Sequence, residues 1–108
     1  MARIATRLGD VGVDVRGERG TPLLFLHGVG SDKSAWAGQL ARFGSERQAL
    51  AIDMPGYGES EFIADATRDT QAEVALAVLD ALGIEKAHVC GLSLGGIVAL
   101  GLHALASA

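Results

Sequence analysis

A single cysteine, Cys90, is all the thiol that this 108-residue sequence holds. That excludes an intrachain disulfide framework and a cysteine-based zinc cluster, and it fits a reducing compartment. Charge is also scarce: charged residues make up 20% of the chain, nine basic against thirteen acidic, for a formal net charge of −4. No stretch gathers Lys or Arg into a stripe that could track phosphates, so nucleic acid is not an expected partner. The start of the chain lacks an apolar run, because Arg3 and Arg7 interrupt it. It therefore does not read as a secretory signal peptide, and a cytoplasmic location is expected. From Ala87 to Ala108 charged residues are absent altogether, a length that could cross a bilayer. Ser93, His88, His103 and the glycines within that stretch make it a poor span, and no membrane association is expected.

Apolar residues are plentiful at 49%, enough for a core and too many for a disordered tail. The length allows one domain at most. Val11, Val13 and Val15 alternate with Gly12 and Asp14, the period of a half-buried strand, and a Gly9-Asp10 turn separates them from an extended segment over Ile4 to Leu8. This predicts an N-terminal hairpin. Leu23 to His27 is a continuous apolar run stopped by Gly28, as in a strand buried on both faces. Trp36, Leu40 and Phe43 then recur at helical spacing behind the candidate caps Ser31, Asp32 and Ser34, with Gly44 as the stop.

Gln48 to Ile52 is a further strand, running into a loop, Asp53-Met54-Pro55-Gly56-Tyr57-Gly58-Glu59-Ser60, that no regular element could accommodate. Thr70-Gln71-Ala72-Glu73 reads as a capping box for a helix whose face is Val74, Val78, Leu79 and Leu82, ended by Gly83. Ala87 to Cys90 is a last short strand, and an apolar helix runs from Ile97 to the end. After the hairpin, strands and helices alternate with short connections. The expected fold is therefore α/β: a mostly parallel sheet with helices on both faces, a three-layer αβα arrangement. Ligands bind such sheets beyond the carboxyl ends of the strands. The loops after Leu26, Ile52 and Cys90 fall at that end.

Gly91-Leu92-Ser93-Leu94-Gly95 fits G-x-S-x-G, a sharp strand-to-helix turn that lifts a serine hydroxyl above a sheet and needs small flanking residues because the backbone is crowded. Ser93 is the candidate nucleophile. The following helix N-terminus favours negative charge, and the Leu94 amide can donate to a developing oxyanion. In His27-Gly28-Val29-Gly30 the glycines let backbone approach a carbonyl oxygen, which makes the Val29 amide the second candidate donor.

A strand ending in His-Gly-x-Gly, an Asp-x-Pro-Gly-x-Gly-x-Ser loop after the next strand and Gly-x-Ser-x-Gly-Gly after the one beyond, taken together, resemble the α/β-hydrolase superfamily. Phe25 to Ser34, Asp53 to Ser60 and His88 to Gly96 look most like small esterases and lactonases, including bacterial 3-oxoadipate enol-lactonases. The resemblance implies a serine hydrolase that forms an acyl-enzyme on a carboxylic ester or lactone. It further implies that His27, Gly28, Gly30, Asp53, Gly91 and Gly95 support the pocket or its loops, His27 by bracing a turn and Asp53 by fixing one.

The resemblance covers the first half of the family's fold. The family places its catalytic acid and histidine well after the nucleophile, and the fifteen residues after Ser93 contain no carboxylate. His103, on the helix leaving the elbow, is expected to point away. Residues 1–108 are thus read as one incomplete domain ending in the helix after the elbow, inactive alone, with neither triad acid nor triad histidine. Nothing calls for a metal or organic cofactor. An open sheet edge beside an apolar helix would favour self-association. The alternative is a non-catalytic α/β binding module completed by dimerisation or by a partner chain. Cys90, on the last strand, is read as core packing, as is Trp36.

Overall fold

The computed structural model describes residues 2–106. Met1, Ser107 and Ala108, the ends of the expected domain and of the apolar stretch, lie outside the described residues. Strands β1 (Ala2–Thr6) and β2 (Gly9–Arg16) form the N-terminal hairpin. Strand β3 (Leu23–Leu26) leads into a 3-10 turn (Lys33–Trp36) and helix α1 (Ala37–Phe43). Then come β4 (Ala49–Ile52), α2 (Arg68–Ala81), β5 (His88–Gly91) and α3 (Leu94–Ala106). The sheet order is β1-β2-β4-β3-β5. β2 pairs antiparallel with β1 and with β4, while β4, β3 and β5 run parallel.

Period-two alternation builds the layers. Leu24 and Leu26 of β3 and Leu50 and Ile52 of β4 face one side, where they bury against Val74 and Val78 of α2 and Val98 and Leu102 of α3. Phe25, Ala49 and Ala51 face the other side, under Trp36 and Leu40. The two alanines leave room for the indole, which stacks on Phe25 at 4.8 Å between centroids. Each fully buried Leu, Ile or Phe contributes about 1.5–3 kcal/mol, so both faces matter to stability. The three-layer expectation is met, with Trp36 in the core as expected.

Local boundaries differ where side-chain hydrogen bonds decide them. The hairpin turns at Arg7-Leu8, with Gly9 (φ +110°) opening β2 opposite Thr6. The Thr6 hydroxyl closes it, donating to the Gly9 carbonyl and accepting from the Leu8 amide. Val15 departs from its alternation and is exposed near the strand end. Helix α2 starts one turn earlier than the Thr70–Glu73 pattern implies, because Thr67 and Thr70 cap one another reciprocally. Its buried face is Val74, Val78 and Leu79 with alanines, while Leu82 is the exposed C-terminal cap. Gly83 (φ +70°) ends the helix as expected. Of the candidate caps Ser31, Asp32 and Ser34, Asp32 acts, but on the 3-10 turn, accepting from the Ser34 amide and hydroxyl, while α1 itself has no side-chain cap.

Strand β5 is one edge of the sheet, β1 being the other. Val89 is 37% exposed, as are Ile97, Leu100 and Leu105 of α3 to a greater degree. Cys90 is exposed as well, contrary to its reading as a core thiol, because among the described residues no further strand or helix covers the outer flank of β5. Between α2, β5 and α3 lies a groove of about 920 Å³, lined by Leu76, Ile84, Val89 and Leu100 among others. Among the described residues no helix is long and apolar enough to cross a membrane.

Candidate active site

Parallel register sets the three loops side by side. Leu26 pairs with Ile52 on one flank and with Gly91 on the other, so β3, β4 and β5 end level and their loops emerge together.

Ser93 sits between β5 and α3 with φ +57°, a left-handed conformation that costs an L-residue roughly 1–2 kcal/mol. The Gly95 and Gly96 amides close the turn onto the carbonyls of Leu92 and Ser93. Both flanking glycines are required sterically. A Cβ at Gly91 would lie 2.1 Å from the Gly95 carbonyl oxygen, and one at Gly95 would lie 2.2 Å from that of Leu26. The elbow is therefore pressed against the end of β3. Ser93 itself remains exposed, while Leu94 is buried and opens α3.

The loop after β3 lies against the elbow. A Cβ built on Gly28 would fall 3.5 Å from the Ser93 Cβ and 3.3 Å from the Leu92 carbonyl oxygen. The Ser31 amide bonds back to the Gly28 carbonyl at 3.3 Å, making Gly28–Ser31 a turn with Gly30 (φ +76°) in its third position, where glycine is favoured. Val29, at the tip, is 70% exposed.

His27 is buried, and both ring nitrogens are in use. Nδ1 donates to the Gly28 carbonyl at 2.8 Å and Nε2 accepts from the Met54 amide at 3.0 Å, which fixes the Nδ1–H tautomer. The ring also meets Tyr57 edge-on at 5.2 Å. It braces two loops and has no lone pair to offer a hydroxyl.

Asp53 is fully buried at the end of β4. Oδ1 accepts from the Lys33 amide at 2.8 Å. Oδ2 accepts from Lys33 Nζ and from the Glu59 amide, both at 2.9 Å. The Asp53 carbonyl accepts from the Ser60 hydroxyl at 2.7 Å. This is a turn-fixing carboxylate. Gly12 and Gly58 leave space for it, since a Cβ at either would overlap its oxygens. Lys33 is 3% exposed and also donates to Glu59 Oε1 at 2.8 Å. Burial acts to lower its pKa, but the bonds to Glu59 and Asp53 more than offset that, and the ammonium is held above its usual range. The Ser34 hydroxyl and amide hold the Asp32 carboxyl below its usual range. Sequence reasoning missed Lys33 and Glu59. A lysine in a polar run carries no periodic signal, and the one available clue was that a buried Asp53 requires a cation.

His88 opens β5 at the end away from Ser93 and is exposed. His103 lines the groove beside α2 instead of turning toward the elbow. The groove itself lies against the start of β5, at the opposite end of the strand from Ser93. No group of three or more His, Cys, Asp or Glu able to hold a metal ion occurs among the described residues.

An open αβα sheet with level loops and a serine elbow defines a class of fold, and comparison with known proteins agrees. The family model described as the alpha/beta hydrolase family matches residues 23–108, and the chain belongs to that family. It is 38% identical over 91 residues to 3-oxoadipate enol-lactonase 1 of Acinetobacter baylyi, covering 83% of this chain and 34% of that protein. It is 42% identical over 106 residues to 2-hydroxymuconate semialdehyde hydrolase of a Pseudomonas species, covering 94% and 35%. The solved enol-lactonase of Burkholderia xenovorans superposes with a TM-score of 0.82 at 31% identity, over 95% of this chain and 41% of that one. An N-acyl homoserine lactonase complexed with N-butanoyl homoserine gives 0.91 at 31% identity, over 98% and 40%. The chain thus spans about a third of the length of the relatives it matches.

Proposed function

We propose that the protein is a serine hydrolase of small carboxylic esters or lactones, with Ser93 as nucleophile and the Val29 and Leu94 amides as its oxyanion hole. The observation that carries this reading is the Ser93 backbone. A left-handed serine, in a turn that closes on itself at Gly91 and presses against β3 at Gly95, is a costly arrangement whose return is an exposed hydroxyl at a helix N-terminus. The enol-lactonase and homoserine lactonase among the relatives support the substrate class.

In this mechanism Ser93 Oγ attacks the acyl carbon and gives its proton to a general base. The carbonyl oxygen becomes an oxyanion held by the two amides, the alkoxide leaving group departs protonated, and water then cleaves the acyl-serine. The base is not among the described histidines. Both nitrogens of His27 are committed, while His88 and His103 lie away from the elbow. Asp53 is consumed by Lys33. The triad acid and histidine therefore come from outside residues 1–108, which form an incomplete hydrolase domain, inactive alone, and the free thiol fits a cytoplasmic setting. Ester turnover by the protein as its source makes it, compared with Ser93→Ala, tests the reading. A loss of about a millionfold in kcat supports it, and retained turnover refutes it.

The exposed β5 edge and its neighbouring groove favour a second reading, a non-catalytic module that self-associates through that edge. A stable, soluble dimer of the 108-residue chain that Val89→Lys dissociates would support it.

A further inference from the structure

The loop that carries Val29 is tied down at both ends to the loop after β4. At its start His27 receives the Met54 amide, and at its end Lys33 meets Asp53 and Glu59. Between these ties lie only residues 28–32, whose one internal backbone bond joins Ser31 to Gly28. The second tie is the stronger. It joins the Lys33 amide and ammonium to opposite oxygens of one buried carboxylate, and the same carboxylate holds the Glu59 amide.

A buried lysine is an expensive way to close a turn. An apolar residue would fill the site without desolvating a charge, and a buried ion pair contributes little net stability over such a replacement. What the ion pair supplies is a fixed geometry. Two carboxylates, Asp53 at 2.9 Å and Glu59 at 2.8 Å, hold one ammonium, and the 3-10 turn that follows starts at that same residue.

We propose that Lys33 is a positioning residue: clamped between Asp53 and Glu59, it holds the five-residue span so that the Val29 amide faces the Ser93 elbow. This rests on the serine-hydrolase reading, in which that amide is an oxyanion donor. Lys33 touches no substrate and acts only through the loop. Loosening a donor by about 1 Å is enough to cost on the order of a hundredfold in rate.

The test compares Lys33→Arg with the double variant Lys33→Met/Asp53→Asn, which removes both charges together and so strands neither in the interior. In the isotopically labelled protein as its source makes it, relaxation measurements read backbone order. The wild type and Lys33→Arg are expected to show order parameters of about 0.85 at Val29 and Gly30, and the double variant values below about 0.6 there, with Leu24 and Leu50 unchanged. In the protein as its source makes it, the double variant is expected to lose about a hundredfold in kcat with KM within about twofold, and Lys33→Arg to restore most of it. Unchanged order at Val29 overturns the proposal. So does a loss of order spread equally over Leu24 and Leu50, or general unfolding, since Lys33 would then support the core and not the loop. If Ser93→Ala keeps its turnover, the hydrolase reading fails by itself, and the relaxation measurement still decides whether Lys33 holds the loop.

Discussion

Two adjacent glycines should respond to the same substitution with opposite signs. At Gly95 an added Cβ meets the Leu26 carbonyl oxygen at 2.2 Å, the Leu26 carbonyl carbon at 2.8 Å and the His27 carbonyl oxygen at 2.9 Å. Ordinary contact begins at 3.4 Å, so the first of these is more than 1 Å too close, and all three are backbone atoms at the end of a central strand. Neither β3, paired on both sides, nor the buried start of α3 can yield that distance locally. Gly95→Ala should therefore cost about 3 kcal/mol, the upper range for overpacking. At Gly96 the nearest atoms lie at 3.5 and 4.0 Å, and φ is not in the left-handed region. Gly96→Ala should gain roughly 0.4–1 kcal/mol by restricting the unfolded chain. Urea unfolding followed by circular dichroism reads both. With a slope of about 1.5 kcal/mol per molar, the Gly95→Ala midpoint falls by about 2 M and that of Gly96→Ala rises by a few tenths. A Gly95→Ala midpoint at or above that of Gly96→Ala would refute the packing of the elbow against β3.

Ser93→Gly should relieve the left-handed backbone and raise Tm by about 3 °C in calorimetry, while a fall would show that the conformation is unstrained. Cys90, exposed on β5, should react with a thiol reagent in the native chain without unfolding, and protection until unfolding would contradict the open edge. The Lys33 pKa is raised on folding, so its contribution is complete below its ordinary 10.5 and is lost as pH climbs through the higher folded value. Thermal scans across that range should show the wild type losing stability that Lys33→Met/Asp53→Asn does not lose, and parallel curves would refute the linkage.

The layers and the elbow were legible because each leaves a local pattern. Runs of apolar residues marked β3 and β4, and glycines on either side of Ser93 marked a place where backbone comes too close for a side chain. Boundaries set by side-chain reach were less legible. Thr67 caps α2 through Thr70, and Thr6 closes the hairpin, although other residues in each segment fit the same templates. Asp53 was read as a turn-fixing acid without its partner, because Lys33 is contributed by another loop and pairs across 20 positions of sequence. Cys90 was misplaced for a related reason. Its strand has an apolar sequence and was read as packed, although an open edge was expected beside the apolar helix, and that edge leaves the thiol exposed.

The proposed mechanism requires an acyl group carried on Ser93. Quenching the protein, as its source makes it, during turnover of a slowly deacylated ester or lactone, and then mapping peptides by mass spectrometry, tests it most directly. The acyl mass is expected on the peptide containing Ser93 and is expected to be absent from Ser93→Ala. Turnover with no adduct on that peptide, or with the adduct on another residue, would contradict it.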